Sequence, residues 1–407
     1  MEFDHNKVRR VVEEDRLSSL PDELIHHIMS YFDMKFAVQT CLLSSRWKLL
    51  WTSMPCLNFS SWQFGTLCNF AKFVTHILSH HNHPELVSSI NVNFLGGAAN
   101  HLLLKKIAKY AFSHNVQQLN VVTWPVSNLV NYPPCLLSSQ SLKHFTFSTC
   151  HVTPTRIILK TPLDFPALTT LHLSGIKLCD DLFSKCVSLK DLTIEQFAVE
   201  DDLEVYDIIA PRLCNLRLIY GSGFKLINVI APQLENLTII DCSINYLKAP
   251  PGLSSLCYTG YPLMRLCKVG FHSLNKATIG LFNYHSIIRY KVGDARKIIS
   301  MLLKLHSVRY LTLNADIIEC LSSFPDLLSH YLSPFSNLIC LTIDYKDGYK
   351  VKMYTEVINF LLENSPSATF IMKLPKFQNK ILTRIMNFSG LLMIMLKHED
   401  DESRKFS

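Results

Sequence analysis

The middle of this chain repeats itself, and the form of the repeat leaves few folds open. An apolar residue, a second three positions on and a third two further recur as Leu168/Leu171/Leu173, Leu189/Leu192/Ile194, Leu213/Leu216/Leu218, Leu234/Leu237/Ile239 and Leu253/Leu256/Tyr258. Successive starts step by 21, 24, 21 and 19 residues. Looser versions begin upstream at Val87, Val116 and Leu142, and downstream at Leu274, Val308 and Leu338. Alternation at period two inside each unit predicts a strand with its apolar side chains on one side. One such strand cannot bury its own apolar row, whereas stacked copies can, so the pattern predicts a solenoid built on a parallel sheet. Pro166, Pro211, Pro232 and Pro251 each stand two residues before the first apolar position, a repeated punctuation mark at the entrance to a strand.

The step length falls in the leucine-rich-repeat range. The expected fold class is α/β: a small three-helix module, then a leucine-rich-repeat solenoid whose curved parallel sheet carries an irregular outer face of helices or loops. The position that holds Asn or Cys in regular repeats holds Cys150 and Cys242 here, but Ile176, Phe197, Gly221 and Tyr261 elsewhere, so the repeats are degenerate. The expected divisions are a flexible N-terminus at 1–14, the helical module at 15–60, the solenoid at 61–350, a C-terminal capping segment at 351–395 and a charged, disordered tail at 396–407. Within the capping segment, residues 357–366 read as an amphipathic helix ended by Ser365-Pro366. With 48% hydrophobic and only 18% charged residues, the chain has ample material for a continuous core.

Residues interleaved with the inward leucines face outward and form the candidate recognition surface. The polar ones singled out there are His172, Asp191, Glu195, Asn215, Arg217, Asn236 and Lys276. Threonine dominates the position between the last two apolar residues of each unit, which strand propensity alone accounts for. These residues form no single-sign stripe and no aromatic ladder, which argues against a nucleic-acid groove. Nor do they suggest a polyphosphate or carboxylate pocket, so a protein is the expected partner.

The N-terminal module is read from residues 15–51. Pro21 sits where a helix can begin, and Asp22 and Glu23 complement its positive end. Leu24 and Ile28 form one stripe on that helix, with Ile25, Met29 and Phe32 on a neighbouring one. A second helical stretch carries Ala37, Val38, Cys41 and Leu42. A third, entered through Ser44-Ser45, carries Trp47, Leu50 and Trp51. Three helices this short cannot bury all of these residues against one another. The surplus faces either the repeats behind it, as a cap, or a partner.

From Leu17 to Trp51 the chain resembles the F-box of plant F-box/leucine-rich-repeat proteins. The resemblance lies in Asp15-Arg16-Leu17-Ser18, Leu20-Pro21-Asp22-Glu23-Leu24, Ile28, Phe32, Ala37-Val38-Gln39-Thr40, Leu42-Leu43-Ser44, Arg46-Trp47 and Leu50-Trp51. It departs at Met34, where that family usually has proline, and at Ser45, where lysine is common. The C-terminal run at 357–366 resembles the element that often closes such proteins. This resemblance implies docking onto a Skp adaptor, and through it a cullin, by Leu20, Pro21, Leu24, Ile28, Val38, Leu42 and Trp47. It also implies a non-catalytic role: the substrate-recognition subunit of an SCF-type (Skp–cullin–F-box) ubiquitin ligase, with the solenoid holding an unidentified target protein. The alternatives are a repeat-built binding protein, or a small-molecule-dependent receptor, acting independently of a ligase.

Other functions lack their residues. The sequence has no P-loop, G-x-G-x-x-G or G-x-S-x-G. His80-His81-His83 has no second set of ligands at useful spacing, so neither a metal nor a cofactor is expected. The excess of 40 Lys+Arg over 33 Asp+Glu is dispersed, no apolar run is long enough to span a membrane, and no nucleic-acid partner is expected. Thirteen cysteines without a C-x-x-C pair or signal core read as reduced thiols, placing the protein in the cytoplasm, the nucleus or both.

Overall fold

The computed structural model describes residues 17–82, 87–96, 100–125, 134–149, 157–159, 161–199, 205–261, 263–267, 271–282, 290–345 and 354–374, with the backbone of 381–387 and 391–397. The expected flexible N-terminus at 1–14, Asp15, Arg16, His83, Cys150 and residues 398–407 of the expected tail lie outside the described residues.

One 15-stranded sheet runs the length of the molecule. Its strands are β1 (Cys56–Ser60), β2 (Ser89–Gly96), β3 (Gln118–Pro125), β4 (His144–Thr149), β5 (Thr170–Ser174), β6 (Asp191–Glu195), β7 (Asn215–Ile219), β8 (Asn236–Ile240), β9 (Ser255–Thr259), β10 (Lys276–Gly280), β11 (Tyr310–Asn314), β12 (Cys340–Asp344), β13 (Thr369–Lys373), β14 (Ile381–Asn387) and β15 (Leu391–Lys397). Pairing is parallel from β1 to β13, then antiparallel through β14 and β15. The register stacks like on like: Leu171, Leu192, Leu216, Leu237 and Leu256 are consecutive partners, and all five are buried. Each neighbour covers the apolar row that a lone unit would expose.

The prolines act as the sequence implies. Leu168, Leu213, Leu234 and Leu253 each donate their amide to the carbonyl three residues back, closing a turn whose second residue is Pro166, Pro211, Pro232 or Pro251. Proline fixes φ there at no hydrogen-bond cost. At the far end of the strands the chain enters positive φ at Gly175 (73°), Gln196 (49°), Tyr220 (55°) and Asp241 (49°). Only Gly175 is forced to be glycine, since a Cβ there would lie 2.1 Å from Thr149 Oγ1. The degenerate ladder position packs by complementarity of volume: the Phe197 ring occupies the space a Cβ on Gly221 would need, and Gly221 N donates to Cys242 Sγ (3.2 Å).

Behind the sheet lies a second parallel layer of short strands, Val205–Ile209, Phe224–Ile230, Ile244–Lys248 and Arg265–Leu266. Helices α1 (Asp22–Met29) and α2 (Met34–Gln39) form the N-terminal module. Helices α3 (Leu67–His80), α4 (Asn100–Ser113), α5 (Val292–Lys304), α6 (Ala315–Ser322), α7 (Pro325–Leu328) and α8 (Thr355–Leu362) continue the outer layer. Among the described residues no helix is long and apolar enough to cross a membrane.

Four expectations are corrected. The sheet begins at Cys56, inside the residues expected for the helical module, because Met54, Leu57 and Phe59 supply the same buried triplet as the later repeats. It also continues beyond 350: α8 is the outer layer of a further unit whose strand is β13, and Ser365 Oγ ties that unit to the preceding one through Phe335 O (2.7 Å). Leu396 and Lys397 belong to β15, not to the tail. The third helix of the N-terminal module is instead a run of 3-10 turns at Thr40–Leu42, Arg46–Lys48 and Leu50–Ser53. Trp47, in the second of these turns, and Leu50, which opens the third, are both buried in the same core.

Candidate functional site

The N-terminal module has two apolar faces. The inner one, Ile25, Met29, Met34, Ala37, Trp47 and Leu50, is continuous with the core of the repeats. Polar contacts fix it there. Asn58 Nδ2, on β1, donates to Ser30 O (2.8 Å) and Phe32 O (3.1 Å), carbonyls at the end of α1 that have no helical partner. Asp33 caps α2 by accepting from Phe36 N (3.0 Å) and also accepts from Gln63 Nε2. Lys35 Nζ donates to Gln63 O (2.8 Å) and lies 4.9 Å from the centre of the Phe64 ring. The entry turn is clamped as well. Trp47 Nε1 donates to Ser18 Oγ (3.1 Å), and Arg46, which also donates to Ser18 O, pairs with Asp22 at 2.6 Å.

The outer face is left open. Leu24 is 50% exposed, Phe36 51%, Leu42 85%, Leu43 60% and Leu49 62%. Of the seven residues expected to contact an adaptor, Pro21, Leu24 and Leu42 are exposed, and Leu20, Ile28 and Val38 are half-buried. Trp47, at 3% exposure, belongs to the inner core and can only position the others. Sequence reasoning missed Phe36, Leu43 and Leu49. The α2 stripe, Phe36 with the Leu42-Leu43 pair, was a usable signal, but nothing in spacing says which of two apolar stripes faces inward.

On the open face of the long sheet, register assembles three of the expected target contacts into one ladder. Asn215 Nδ2 donates to Asp191 Oδ1 (2.6 Å), and Asn236 Nδ2 to Asn215 Oδ1 (2.7 Å). His172 Nε2 lies 3.7 Å from Glu195 Oε2. Arg217 stands exposed between Thr193 and Thr238, while Lys276 sits two strands from Asn236 and apart from the ladder. Burial raises the Cys257 thiol above its ordinary range, against the opposing pull of Arg217 and Lys276.

A second ladder went unread. Asn91 Nδ2 donates to Asn58 Oδ1 (2.6 Å) and Asn120 Nδ2 to Asn91 Oδ1 (2.5 Å), so the residue that holds the N-terminal module also anchors a polar row across the first three strands. With Asp33, Ser60, Asn93 and Val122 this row borders a cavity of about 240 Å³. Trp124 Nε1 donates to Asn93 Oδ1 (3.2 Å) and meets Trp62 edge to face at 6.1 Å. The signal was present: Leu57-Asn58-Phe59, Ile90-Asn91-Val92 and Leu119-Asn120-Val121 place Asn at the same point of three successive units. The histidines singled out as poor ligands serve the backbone, His81 Nε2 bonding Met54 O (3.1 Å) and His80 Nδ1 bonding His76 O (2.8 Å).

Both halves of this architecture match described families. The F-box domain family matches residues 17–59, and the repeats described for the FBD-associated F-box protein At5g56370 match residues 104–343, more than half of the chain. The chain belongs to the plant F-box/leucine-rich-repeat family. Its relatives in Arabidopsis thaliana include F-box/FBD/LRR-repeat protein At5g56420, 30% identical over 251 residues, which cover 56% of this chain and 55% of the relative. F-box/LRR-repeat protein 25 is 28% identical over 53% of this chain and 89% of its own length. The F-box/FBD/LRR-repeat protein At4g13965 is 26% identical over 90% of this chain and 92% of its own length. The chain spans about half the length of the first of these. The α/β architecture of an F-box followed by a leucine-rich-repeat sheet is therefore both seen and shared.

Proposed function

We propose that this chain is a substrate-recognition subunit of a Skp–cullin–F-box ubiquitin ligase, working in the cytoplasm or nucleus. The observation that carries this reading is the open outer face of the F-box. A module that only capped the repeats would need one apolar face, and the inner face already does that work. The second face, with Leu24, Phe36, Leu42, Leu43 and Leu49 in water, suits helices that insert into a partner's groove. F-box domains generally bind Skp adaptors, and a cullin would be reached through that adaptor. The open face of the long sheet, with its Asp191–Asn215–Asn236 ladder and exposed Arg217, is the proposed seat of the target protein. Other subunits would transfer ubiquitin, and this chain would contribute proximity and orientation rather than bond-making.

The test is co-purification with the Skp adaptor, wild type beside a Leu24→Glu, Leu42→Glu double variant. Capture by the wild type and its loss in the variant, at an unchanged unfolding temperature, is the expected result. A wild-type chain that captures no adaptor would leave the F-box as a cap and the sheet as a binder in its own right.

A further inference from the structure

The open face of the long sheet changes character across its first three strands. Register sets Asn58, Asn91 and Asn120 side by side on β1, β2 and β3, then Ser60, Asn93 and Val122 one step along, then Leu95 beside Trp124. The first two rows border the cavity of about 240 Å³. Trp62, in the turn at Ser61–Gln63 that follows β1, meets Trp124 with the ring planes at 76°, so the rows end at an aromatic corner. Trp62 is 57% exposed and Trp124 37%. A tryptophan can bury about 150–250 Å², and two left side by side in water mark a place of contact.

The hydrogen-bonding capacity of the site is only partly used. Asn58 spends its amide on Ser30 O and Phe32 O, which leaves it structural. Among the described residues Asn91 and Asn120 each donate once along the ladder, and each keeps a second amide hydrogen. Asn93 accepts from Trp124 Nε1 through its oxygen, which fixes the indole and leaves both of its own amide hydrogens unspent. The site is also neutral. Asp33 is the one charged residue among those lining the cavity, and its two oxygens already accept from Phe36 N and Gln63 Nε2.

We propose that this site binds a neutral sugar ring. An ionic ligand would find no counter-charge here, and a wholly apolar one would leave the amides unpaired. A hydroxyl both donates and accepts, as a primary amide does, so amides repeated at the strand spacing of about 4.8 Å match a ring of hydroxyls without net charge. The C–H face of such a ring is apolar and flat, which suits an indole held in a fixed plane. The volume lies just under the roughly 300–1,000 Å³ of drug-sized sites and takes one ring rather than an extended chain. The site lies apart from the Asp191–Asn215–Asn236 ladder. The sugar has two potential sources, a free saccharide or a glycan carried by a protein, and only the second rests on the target-binding reading.

Saturation-transfer NMR on the full chain tests the proposal. The probes are the methyl glycosides of glucose, galactose, mannose and N-acetylglucosamine, a peptide bearing one O-linked N-acetylglucosamine, and the same peptide bare. Saturable binding of at least one sugar-bearing probe is expected, weakened about tenfold or more in a Trp62→Ala, Trp124→Ala variant. Tighter binding of a methyl glycoside points to the free source, and tighter binding of the glycopeptide to the protein-borne one. Should loss of the two rings disturb folding, Val122→Tyr, which fills the cavity and suits a strand, is expected to remove binding at a wild-type unfolding temperature. The inference is overturned if no sugar-bearing probe saturates, if the bare peptide binds as well as the glycopeptide, or if a folded variant binds as tightly as the wild type. Because the chain is tested without an adaptor, that failure would leave the co-purification result untouched.

Discussion

The F-box and the central repeats use similar amounts of leucine in different ways. In β5 to β9 the apolar residues point inward and are covered by their neighbours, while the face between them carries Thr, Asn, Asp and Arg. In the F-box, apolar residues point both ways: Ile25, Met29 and Trp47 into the shared core, Leu24, Phe36 and Leu42 into water. Complete burial of a Leu or Phe side chain is worth roughly 1.5–3 kcal/mol, and the outer F-box face forgoes that gain as long as the chain is alone. The repeats are thus satisfied by the fold itself, whereas the F-box is satisfied on one side only, and the missing stabilisation is available to a partner.

Substitutions can sharpen that contrast. The largest effects belong to the shared core: Trp47→Ala and Leu237→Ala should each lower stability by about 3–5 and 2–5 kcal/mol, read from denaturant midpoints. If Trp47→Ala left the midpoint in place, the inner F-box face would not be part of the core. A different lever acts on the repeats alone. Burial pushes the Cys186 thiol up to about 11 and the Cys242 and Cys320 thiols up to about 12. The folded chain then keeps protons that the unfolded chain loses above about pH 9. Their contribution is complete below that pH and is lost as pH climbs toward 11–12, by up to ~1.4 kcal/mol per unit for each thiol. Denaturant midpoints taken from pH 8 to 11 should fall, and the fall should flatten in a Cys242→Ala chain. Next comes the ladder that joins the two regions: Asn91→Ala removes two side-chain hydrogen bonds and should cost about 1 kcal/mol, with the same assay as readout. Smallest is Leu42→Ala, expected to change stability by less than about 0.5 kcal/mol because the side chain is already in water. A large loss there would erase the distinction between the two faces.

Much of this was legible in the residues. The triplets, the prolines and the step length pointed to stacked parallel strands, since a stiff period-two pattern with turns at fixed offsets has few ways to bury itself. The extra units at Met54 and β13 were harder to see: their first positions are Met54 and Ser367, and insertions around α3 and α8 stretch the spacing. The 3-10 geometry around Trp47 was not legible, because a spacing of three suits either helix type and packing chose between them. The cleft lined by Arg265, Arg296, Lys297 and Lys304 was equally hidden. Arg265 stands 31 residues before Arg296 of α5 in sequence, and only the return of the chain brings their charges together.

The sequence alone determined that this chain must stack its units and that its first fifty residues carry more apolar surface than they can bury. Both follow from local chemistry: the alternation of side chains along a strand and the small volume of three short helices. The tertiary structure alone decided which F-box stripe faces water, which asparagines meet in ladders and where four cations converge. Those outcomes depend on contacts between residues about twenty to forty positions apart, and period and composition do not encode which of several similar side chains will meet.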